Sequence, residues 1–422
     1  SPMKKNLLLV GLILIIFFVI SFLTNIIGPL VPDIIESFGL SLTMAAFLPF
    51  AFFVAYGVMS IPSGILIELY GEKKVMIMAF LISSVGAFLF ALNAHYIFYL
   101  VSLFLIGSGM AMLQVAINPL LRTIGGEKDF AFNSVLGQLF FGLASFLSPL
   151  VYSYIVINSS DINQSSSWVT QLLSKITIPG LEWISLYWIF AIISLLMVFV
   201  IMFSKFPVVE RKEDEKTGAI DTHIMLLKKP MVLLYFFAVF CYVGTEQGIA
   251  NWISQFLAVY HDIDPQVQGA KTISNFWGMM TLGTLLGLVL LKFLDSRKVL
   301  IVTSTASILA LLMALFGNSA QALIAFPIIG FFIATMWSII ISLALNSVAE
   351  AHGSFSGILV TGIVGGAVVP FIVGGLGDIF GLRTGMVFLF ITLLFILSIG
   401  FWSKPLINNE TFLTSFKKAK SK

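Results

Sequence analysis

Long apolar runs separated by short polar breaks follow one another along the whole chain. A helix that crosses the hydrocarbon core of a bilayer needs about 20 predominantly apolar residues, and the runs reach that length. The pattern therefore predicts an all-α membrane protein, embedded in the lipid bilayer, with twelve transmembrane helices. These spans, numbered 1 to 12 in chain order, are expected at about 6–30, 43–69, 74–93, 96–121, 130–156, 183–204, 230–259, 270–293, 298–316, 319–346, 354–377 and 384–403.

The basic residues predict how these spans are oriented. Lysine and arginine are enriched in the cytoplasmic loops of membrane proteins. With a cytoplasmic N-terminus, every lysine and arginine except Lys175, Lys271 and Arg383 falls on the cytoplasmic side. An odd number of spans would destroy this asymmetry, so the sequence predicts that both termini are cytoplasmic.

The most highly charged segment divides the predicted spans into two sets of six. We expect an N-terminal six-helix bundle at 1–204, a cytoplasmic linker at 205–229, and a C-terminal six-helix bundle with a short basic tail at 230–422. Transporters built from such repeats bind their substrates near the bilayer midplane, between the halves. The layout thus favours a transporter, and we expect it to be a monomer.

Composition narrows the class of protein further. The 422 residues are 59% hydrophobic and 10% charged, with a mean hydropathy of +1.05, whereas soluble domains are about 25% charged. A net charge of +3, scattered along the chain, gives no reason to expect a nucleic-acid partner. Cys241 is the single cysteine, which excludes a disulfide framework. No catalytic arrangement of side chains stands out, so we expect neither an enzyme nor a bound cofactor.

Polar residues deep inside the spans are the candidate binding residues, because they are costly there unless they face protein or a water-filled cavity. Amides both donate to and accept from hydroxyls, and an aromatic face packs on the C–H face of a sugar ring, which suits a neutral polyol. Buried amides can instead hold helices together. The candidate substrate-binding residues are Asn25, Gln114, Asn118, Gln138, Gln247, Asn251, Trp252, Gln255, Asn275 and Trp337.

Glu246 is the only carboxylate that the predicted boundaries place well inside a span, since Asp33 and Asp378 fall at span ends. A carboxyl group at membrane depth can exchange a proton and so couple transport to a gradient. With nearby neutral oxygens it can instead be a ligand of Na⁺, because hard cations prefer oxygen. It can also brace a neighbouring helix or bind the substrate directly, and the sequence leaves these roles open.

Four stretches carry a resemblance to a known family. They are FVAYGVMSIPSGIL (53–66), GSGMAMLQVAINPLLRTIGGE (107–127), YVGTEQGIANWISQFL (242–257) and HGSFSGILVTGIVGGAVVP (352–370). They resemble motifs of the fucose/galactose/glucose permeases within the major facilitator superfamily. The resemblance implies the major facilitator fold, with two six-helix bundles, alternating access and a sugar in the central cavity. It places Gln114, Asn118, Gln138 and Glu246 on matching motif positions, and Trp337 where the family has a cavity-lining aromatic.

The sequence departs from the family at its acidic positions. Gly28 stands where the resemblance implies a span 1 aspartate, and Gln114 where it implies a span 4 glutamate. Thr284 stands where the resemblance implies an arginine in span 8. Because the family's proton-coupling acid pair is absent, three alternatives remain. Glu246 carries a proton alone, it helps to hold Na⁺, or the protein is an uncoupled facilitator.

The sequence as a whole favours a secondary active importer of a neutral or amino sugar, coupled to Na⁺ or H⁺, in the bacterial inner membrane. The alternatives are an uncoupled sugar facilitator, or a major facilitator transporter of a drug, a lipid or an organic anion. An anionic substrate would require a basic residue deep in a span, and the predicted boundaries place none there, although Arg122 and Lys271 near the span ends keep this alternative open. A membrane enzyme or a sugar receptor would show a catalytic constellation or an output domain, and neither is evident.

Overall fold

The computed structural model describes residues 2–126, 129–159, 168–211, 213, 216, 220–409 and 411–422. Within them, twelve helical segments are long and apolar enough to cross a membrane, which confirms the predicted number of spans. They are Leu7–Phe38, Leu42–Tyr70, Glu72–Leu92, Tyr96–Gly125, Phe132–Ser159, Glu182–Met202, Pro230–His261, Pro265–Leu290, Ser296–Phe316, Ser319–Leu345, His352–Phe380 and Leu382–Trp402. Because their number is even, both chain termini lie at the same end of the bundle, here called the termini end. Whether that end is cytoplasmic stays a prediction.

Span 1 extends further than the sequence predicted. It consists of two helices, Pro2–Asn25 and Ile27–Phe38, which meet at Ile26. Pro29 lies in the first turn of the second helix, where a missing N–H breaks no intrahelical bond. The expected end near residue 30 is therefore wrong. Asp33 lies inside the span and is buried, so Glu246 is not the only carboxylate within a span.

Three spans of the C-terminal half change their helical geometry along their length. Span 8 begins with a π-helical turn, span 10 is interrupted between two helices, and span 11 contains a 3₁₀ turn. Such breaks are tolerated at membrane depth where the freed backbone groups are buried in protein or line a cavity. The segments are Pro265–Gly269 and Ala270–Leu290 in span 8, Ser319–Ile333 and Met336–Leu345 in span 10, and His352–Thr361, Gly362–Val364 and Gly365–Phe380 in span 11.

Helices pack closely within each half of the chain. Span 4 packs on spans 2 and 3, and span 10 packs on spans 8 and 9. The same glycine contact recurs in both halves, since a Cβ at Gly107 of span 4 would overlap the carbonyl oxygen of Phe52 in span 2, and one at Gly330 of span 10 would overlap that of Phe276 in span 8. Small residues allow such close approach between membrane helices. The repeated contact indicates that spans 2 and 4 correspond to spans 8 and 10.

Within the described residues, the two halves are joined chiefly by four pairs of spans, namely 1 with 7, 1 with 8, 2 with 11, and 5 with 8. A site between the halves is therefore bordered by spans 1, 2, 5, 7, 8 and 11, together with span 4, which packs on spans 1 and 2. The exact bounds of the two bundles and the linker stay a prediction. Among the described residues, three shorter α-helices lie outside the spans, at Trp168–Ile176, Ile220–Leu227 and Phe412–Lys420.

Candidate functional site: a cavity between two six-helix halves

The halves are fastened to each other at the end of the bundle away from the termini. Asp378, in the last turn of span 11, accepts hydrogen bonds from the backbone N–H groups of Leu42 at 3.0 Å and Thr43 at 2.8 Å, and from the Thr43 hydroxyl. Leu42 and Thr43 form the first turn of span 2, where N–H groups have no intrahelical acceptor. A carboxylate of one half therefore caps a helix of the other, and its charge suits that helix terminus.

Asp33 makes a second connection at the same end. Its Oδ1 accepts a hydrogen bond from Gln266 Nε2 at 3.0 Å, and its Oδ2 accepts one from the Tyr152 hydroxyl. Gln266 begins span 8, whereas Asp33 and Tyr152 belong to the N-terminal half. The side chain of Asp33 is only 7% exposed, so the two donors compensate for its burial. Sequence reasoning missed this link, although Ile34 and Ile35 continue the apolar run beyond Asp33.

Gly28 allows spans 1 and 7 to approach each other. A Cβ built on Gly28 would lie 2.8 Å from the carbonyl oxygen of Ala250, closer than side chains tolerate against backbone. This is the position at which the resemblance implies an aspartate. In this arrangement of the helices, that position holds a helix contact and has no room for a side chain.

Polar side chains are accessible in the half of the membrane nearer the termini. Asn118 in span 4, Gln138 in span 5, and Ser338 and Ser342 in span 10 are exposed. Polar groups facing hydrocarbon would be costly, so these positions line a space that water can enter. The bundle is thus closed at the far end and open at the termini end.

Glu246 lies near the middle of span 7 and is partly exposed. Its Oε2 accepts a hydrogen bond from the Tyr242 hydroxyl at 2.8 Å, and its Oε1 accepts one from Gln247 Nε2 at 3.1 Å. The ring centroids of Tyr242 and Trp337 are 6.1 Å apart. This aromatic contact joins spans 7 and 10 next to the carboxylate of Glu246. Among the described residues no cation forms a salt bridge with Glu246. The arrangement is a carboxyl group held by two neutral donors.

The remaining polar residues of span 7 are divided between the site and the helix packing. Asn251 Nδ2 donates to the Gln247 carbonyl oxygen at 2.7 Å and to Gln247 Oε1 at 3.2 Å, and both residues are buried. Trp252 Nε1 donates to the Pro370 carbonyl oxygen at 3.1 Å, and its indole is fully buried. Trp252 therefore fastens span 7 to span 11 and does not face open space. Gln255, further along the span, is partly exposed.

A second polar cluster lies in the N-terminal half. Gln114 Oε1 accepts a hydrogen bond from the Tyr56 hydroxyl at 3.1 Å. Asn25 Nδ2 donates to Ser21 Oγ at 3.2 Å, while Asn25 Oδ1 is buried and has no hydrogen-bond partner among the described residues. Buried polar atoms are nearly always paired, so this oxygen is an acceptor available to a ligand or to water.

The structure thus brings several predicted residues into two groups and leaves others apart. Glu246, Gln247 and Asn251 form a continuous hydrogen-bonded series, and Gln114 has Tyr56 as its neighbour. Asn275 is exposed beside Ser274, whose hydroxyl donates to the Phe146 carbonyl oxygen at 2.7 Å. The sequence reasoning missed Tyr56, Tyr242 and Asp33. Tyr242 could have been found, because it precedes Glu246 by four residues and so shares its helix face.

A twelve-span helical bundle, closed at one end and open to a polar cavity at the other, has the architecture of an alternating-access transporter. The chain belongs to the Major Facilitator Superfamily, whose sequence profile matches residues 13–363. It is 27% identical over 382 residues to the glucose/galactose transporter of Brucella abortus (strain 2308), which covers 87% of each chain. It is 25% identical over 385 residues to the L-fucose-proton symporter of Escherichia coli (strain K12), covering 87% of this chain and 86% of that one.

Solved structures show the same fold. The E. coli transporter FucP, in its outward conformation, matches with a TM-score of 0.67 at 24% identity, over 94% of this chain and 98% of FucP. A bacterial homologue of the human lysosomal transporter Spinster, inward-facing and occupied, matches with a TM-score of 0.74 at 15% identity, over 93% and 95% of the two chains. These relatives are transporters, so the predictions of the fold, of the resemblance and of a protein that is not an enzyme are confirmed.

The amide side chains of Gln114 and Asn251, one in each polar group, lead to a first prediction. Gln114→Ala and Asn251→Ala are each expected to weaken substrate binding about tenfold, because each removes one amide able to bond a neutral hydroxyl. Gln171→Ala is the matched control, since Gln171 is exposed on the helix Trp168–Ile176, outside the spans. Equilibrium binding of labelled substrate to the purified variants measures the effect. Unchanged affinity in both site variants would remove Gln114 and Asn251 from the binding site.

Proposed function

We propose that the protein imports a neutral or amino sugar by alternating access, and that Glu246 couples this import to a cation gradient. The observation that carries the proposal is the carboxylate of Glu246, which is held between Tyr242 and Gln247 near the middle of span 7 and belongs to a residue that is partly exposed. The names of the relatives from Brucella abortus and Escherichia coli support a sugar as the cargo.

The chemistry around the cavity suits a sugar in several respects. The amides of Gln114 and Asn118 can donate to and accept from hydroxyl groups, and the unpaired Asn25 Oδ1 offers a further acceptor. Trp337 is partly exposed and offers an aromatic surface for the C–H face of a pyranose ring. The described part of the chain places no arginine or lysine among these residues, which favours a neutral cargo over an organic anion.

A proton is the better candidate for the coupling ion. Tyr242 and Gln247 present hydrogen atoms to the Glu246 oxygens, whereas a Na⁺ ion would require oxygen ligands there. The amide oxygen of Gln247 already accepts a hydrogen bond from Asn251. Protonation of Glu246 requires only that one donor turns away, so it disturbs the cluster less than binding Na⁺.

The proposed direction follows from the predicted topology. If both termini are cytoplasmic, the open end of the cavity faces the cytoplasm and the closed end, with Asp33 and Asp378, faces the outside. A sugar would then leave the described conformation into the cell, and the next cycle would begin when the outer contacts separate. We place the protein in the cytoplasmic membrane of a bacterium, as a monomer.

Uptake into proteoliposomes tests the proposal. A panel of labelled hexoses and amino sugars is offered with an imposed proton gradient, with an imposed Na⁺ gradient, and with neither. Accumulation with the proton gradient alone is the expected result. Accumulation with the Na⁺ gradient alone would identify Na⁺, and not the proton, as the coupling ion. Equilibration of the sugar without accumulation under any gradient would make the protein an uncoupled facilitator, which is consistent with the absence of the acid pair at Gly28 and Gln114. No flux of any sugar would refute the sugar proposal.

A further inference from the structure

The short helix Phe412–Lys420, which follows span 12, has an exposed apolar face. At about 100° per residue, Phe412, Leu413 and Phe416 lie on one side of it. Their side chains are 52%, 65% and 69% exposed, and no residue of the helix is buried. A cluster of large apolar side chains left open in this way indicates a surface that contacts something else.

The helix is held at the end of span 8. The backbone N–H of Phe412 donates to the Lys292 carbonyl oxygen at 2.8 Å, and the Phe412 ring lies 5.2 Å from that of Phe293. Just before the helix, Asn409 Nδ2 donates to the Leu291 carbonyl oxygen at 2.9 Å. Its start is therefore fixed where a membrane span ends, at the termini end of the bundle.

This location makes the apolar face continuous with the lipid-facing surface. Leu290, Phe293 and Leu294 at the end of span 8 are 45%, 59% and 46% exposed. Since Leu290 ends the spanning helix and Phe293 and Leu294 lie in the turn just beyond it, we expect acyl chains and the inner part of the headgroup layer to surround them. Phe412 packs directly on Phe293, so the apolar side chains that follow it lie at the same depth as the membrane boundary.

The charges of the helix complement an anionic surface. Lys417, Lys418 and Lys420 follow the apolar residues, Lys422 lies just beyond, and residues 411–422 contain no acidic side chain. Lysine can lay its apolar stem along a membrane surface while its ammonium group reaches the phosphates. Short amphipathic helices with basic and aromatic residues bind in the interface of anionic membranes in this way.

We propose that the helix Phe412–Lys420 lies flat in the headgroup layer and binds anionic phospholipids of the leaflet at the termini end. Phe412, Leu413 and Phe416 enter the boundary between headgroups and acyl chains, and the lysines contact the phosphates. Bound lipid thereby anchors the end of span 8, one of the spans that join the two halves.

Spin labelling of the full chain in nanodiscs tests this proposal. In a Cys241→Ala background, a nitroxide is placed at Phe416→Cys, with Ser415→Cys as the matched control, about 100° around the same helix. Collision with oxygen reports burial in lipid, and collision with a water-soluble nickel complex reports exposure to water. With phosphatidylglycerol present, the label at 416 is expected to be shielded from nickel, whereas the label at 415 stays accessible.

A charge-reversal variant provides a second test of lipid binding. Combining Lys417→Glu, Lys418→Glu and Lys420→Glu is expected to return the 416 label to water, because each lysine near an anionic surface strengthens binding about fivefold. Nanodiscs of phosphatidylcholine alone are expected to give the same result. Equal nickel accessibility of the 416 label in both lipids would overturn the proposal, as would shielding that persists after charge reversal. Spin–spin broadening between two copies would assign the face to self-association and overturn it as well.

Discussion

Replacing Glu246 with glutamine is expected to abolish gradient-driven accumulation of the sugar while leaving sugar exchange across the membrane intact. Glutamine keeps the length and shape of the side chain, and its amide oxygen can still accept the hydrogen bond from Tyr242. Its amide nitrogen then faces Gln247, whose side chain can rotate to accept from it, because Asn251 keeps its bond to the Gln247 carbonyl oxygen. What is lost is the group able to gain and release a proton. Accumulation in proteoliposomes is expected to fall at least a hundredfold, to the level set by equilibration, since the energy of the gradient no longer enters the cycle.

Two variants make this result interpretable. Glu350→Gln removes an exposed carboxylate between spans 10 and 11 and is expected to leave accumulation unchanged. Glu246→Asp keeps the ionisable group and is expected to accumulate sugar at a reduced rate. If accumulation and exchange both survive in Glu246→Gln, Glu246 does not couple sugar transport to the proton gradient. If both disappear, and Glu246→Asp is equally inactive, the residue braces the helices or binds the sugar.

Introducing aspartate at Gly28 is expected to reduce transport at least tenfold, although the resemblance implies an aspartate at this position. The added Cβ would lie 2.8 Å from the Ala250 carbonyl oxygen, so spans 1 and 7 would have to separate. Overpacking between buried helices typically costs about 1 to 3 kcal/mol. The contact joins the two halves on the far side of span 7's midpoint, so separation of the halves at the far end would relieve the overlap. The cost is therefore expected to shift the population toward conformations open there.

Gly11→Ala is the matched control in the same span, since a Cβ there meets no atom within 4 Å. The population shift is measured by alkylation of a cysteine placed at Ala46, which is buried in span 2 against span 11 near the far end, in a Cys241→Ala background. Faster alkylation in Gly28→Asp and in Gly28→Ala is expected, with no change in Gly11→Ala. Wild-type transport and unchanged alkylation in Gly28→Asp would contradict the role assigned to this glycine.

The number of spans could be predicted from the sequence, because bilayer thickness fixes the length of an apolar run. The superfamily could be predicted from the four stretches that resemble its motifs. Repeated polar residues in span 7 correctly indicated a polar series, since Gln247 and Asn251 are joined by hydrogen bonds. These features depend on local pattern alone.

Whether an individual side chain faces the cavity or packs between helices depends on partners that are distant in sequence. From the sequence, Asp33 is interpreted as the end of a span. The structure buries it, because Tyr152 and Gln266, which lie 119 and 233 residues away along the chain, donate hydrogen bonds to it. From the sequence, Trp252 is interpreted as a residue of the cavity. In the structure its N–H donates to the Pro370 carbonyl oxygen on another helix, so its indole packs between spans 7 and 11. Helical periodicity shows that residues share a face, but it does not show whether that face meets water or a neighbouring span.

The cap that Asp378 provides for span 2 gives the protein a built-in reporter of its state. The amide hydrogens of Leu42 and Thr43 point at this carboxylate only while the two halves touch at the far end. When the halves part, these two amides lose their acceptor, and their hydrogens exchange with solvent deuterium. Deuterium uptake in the first turn of span 2 therefore follows each opening of the far gate, without a label and without mutation.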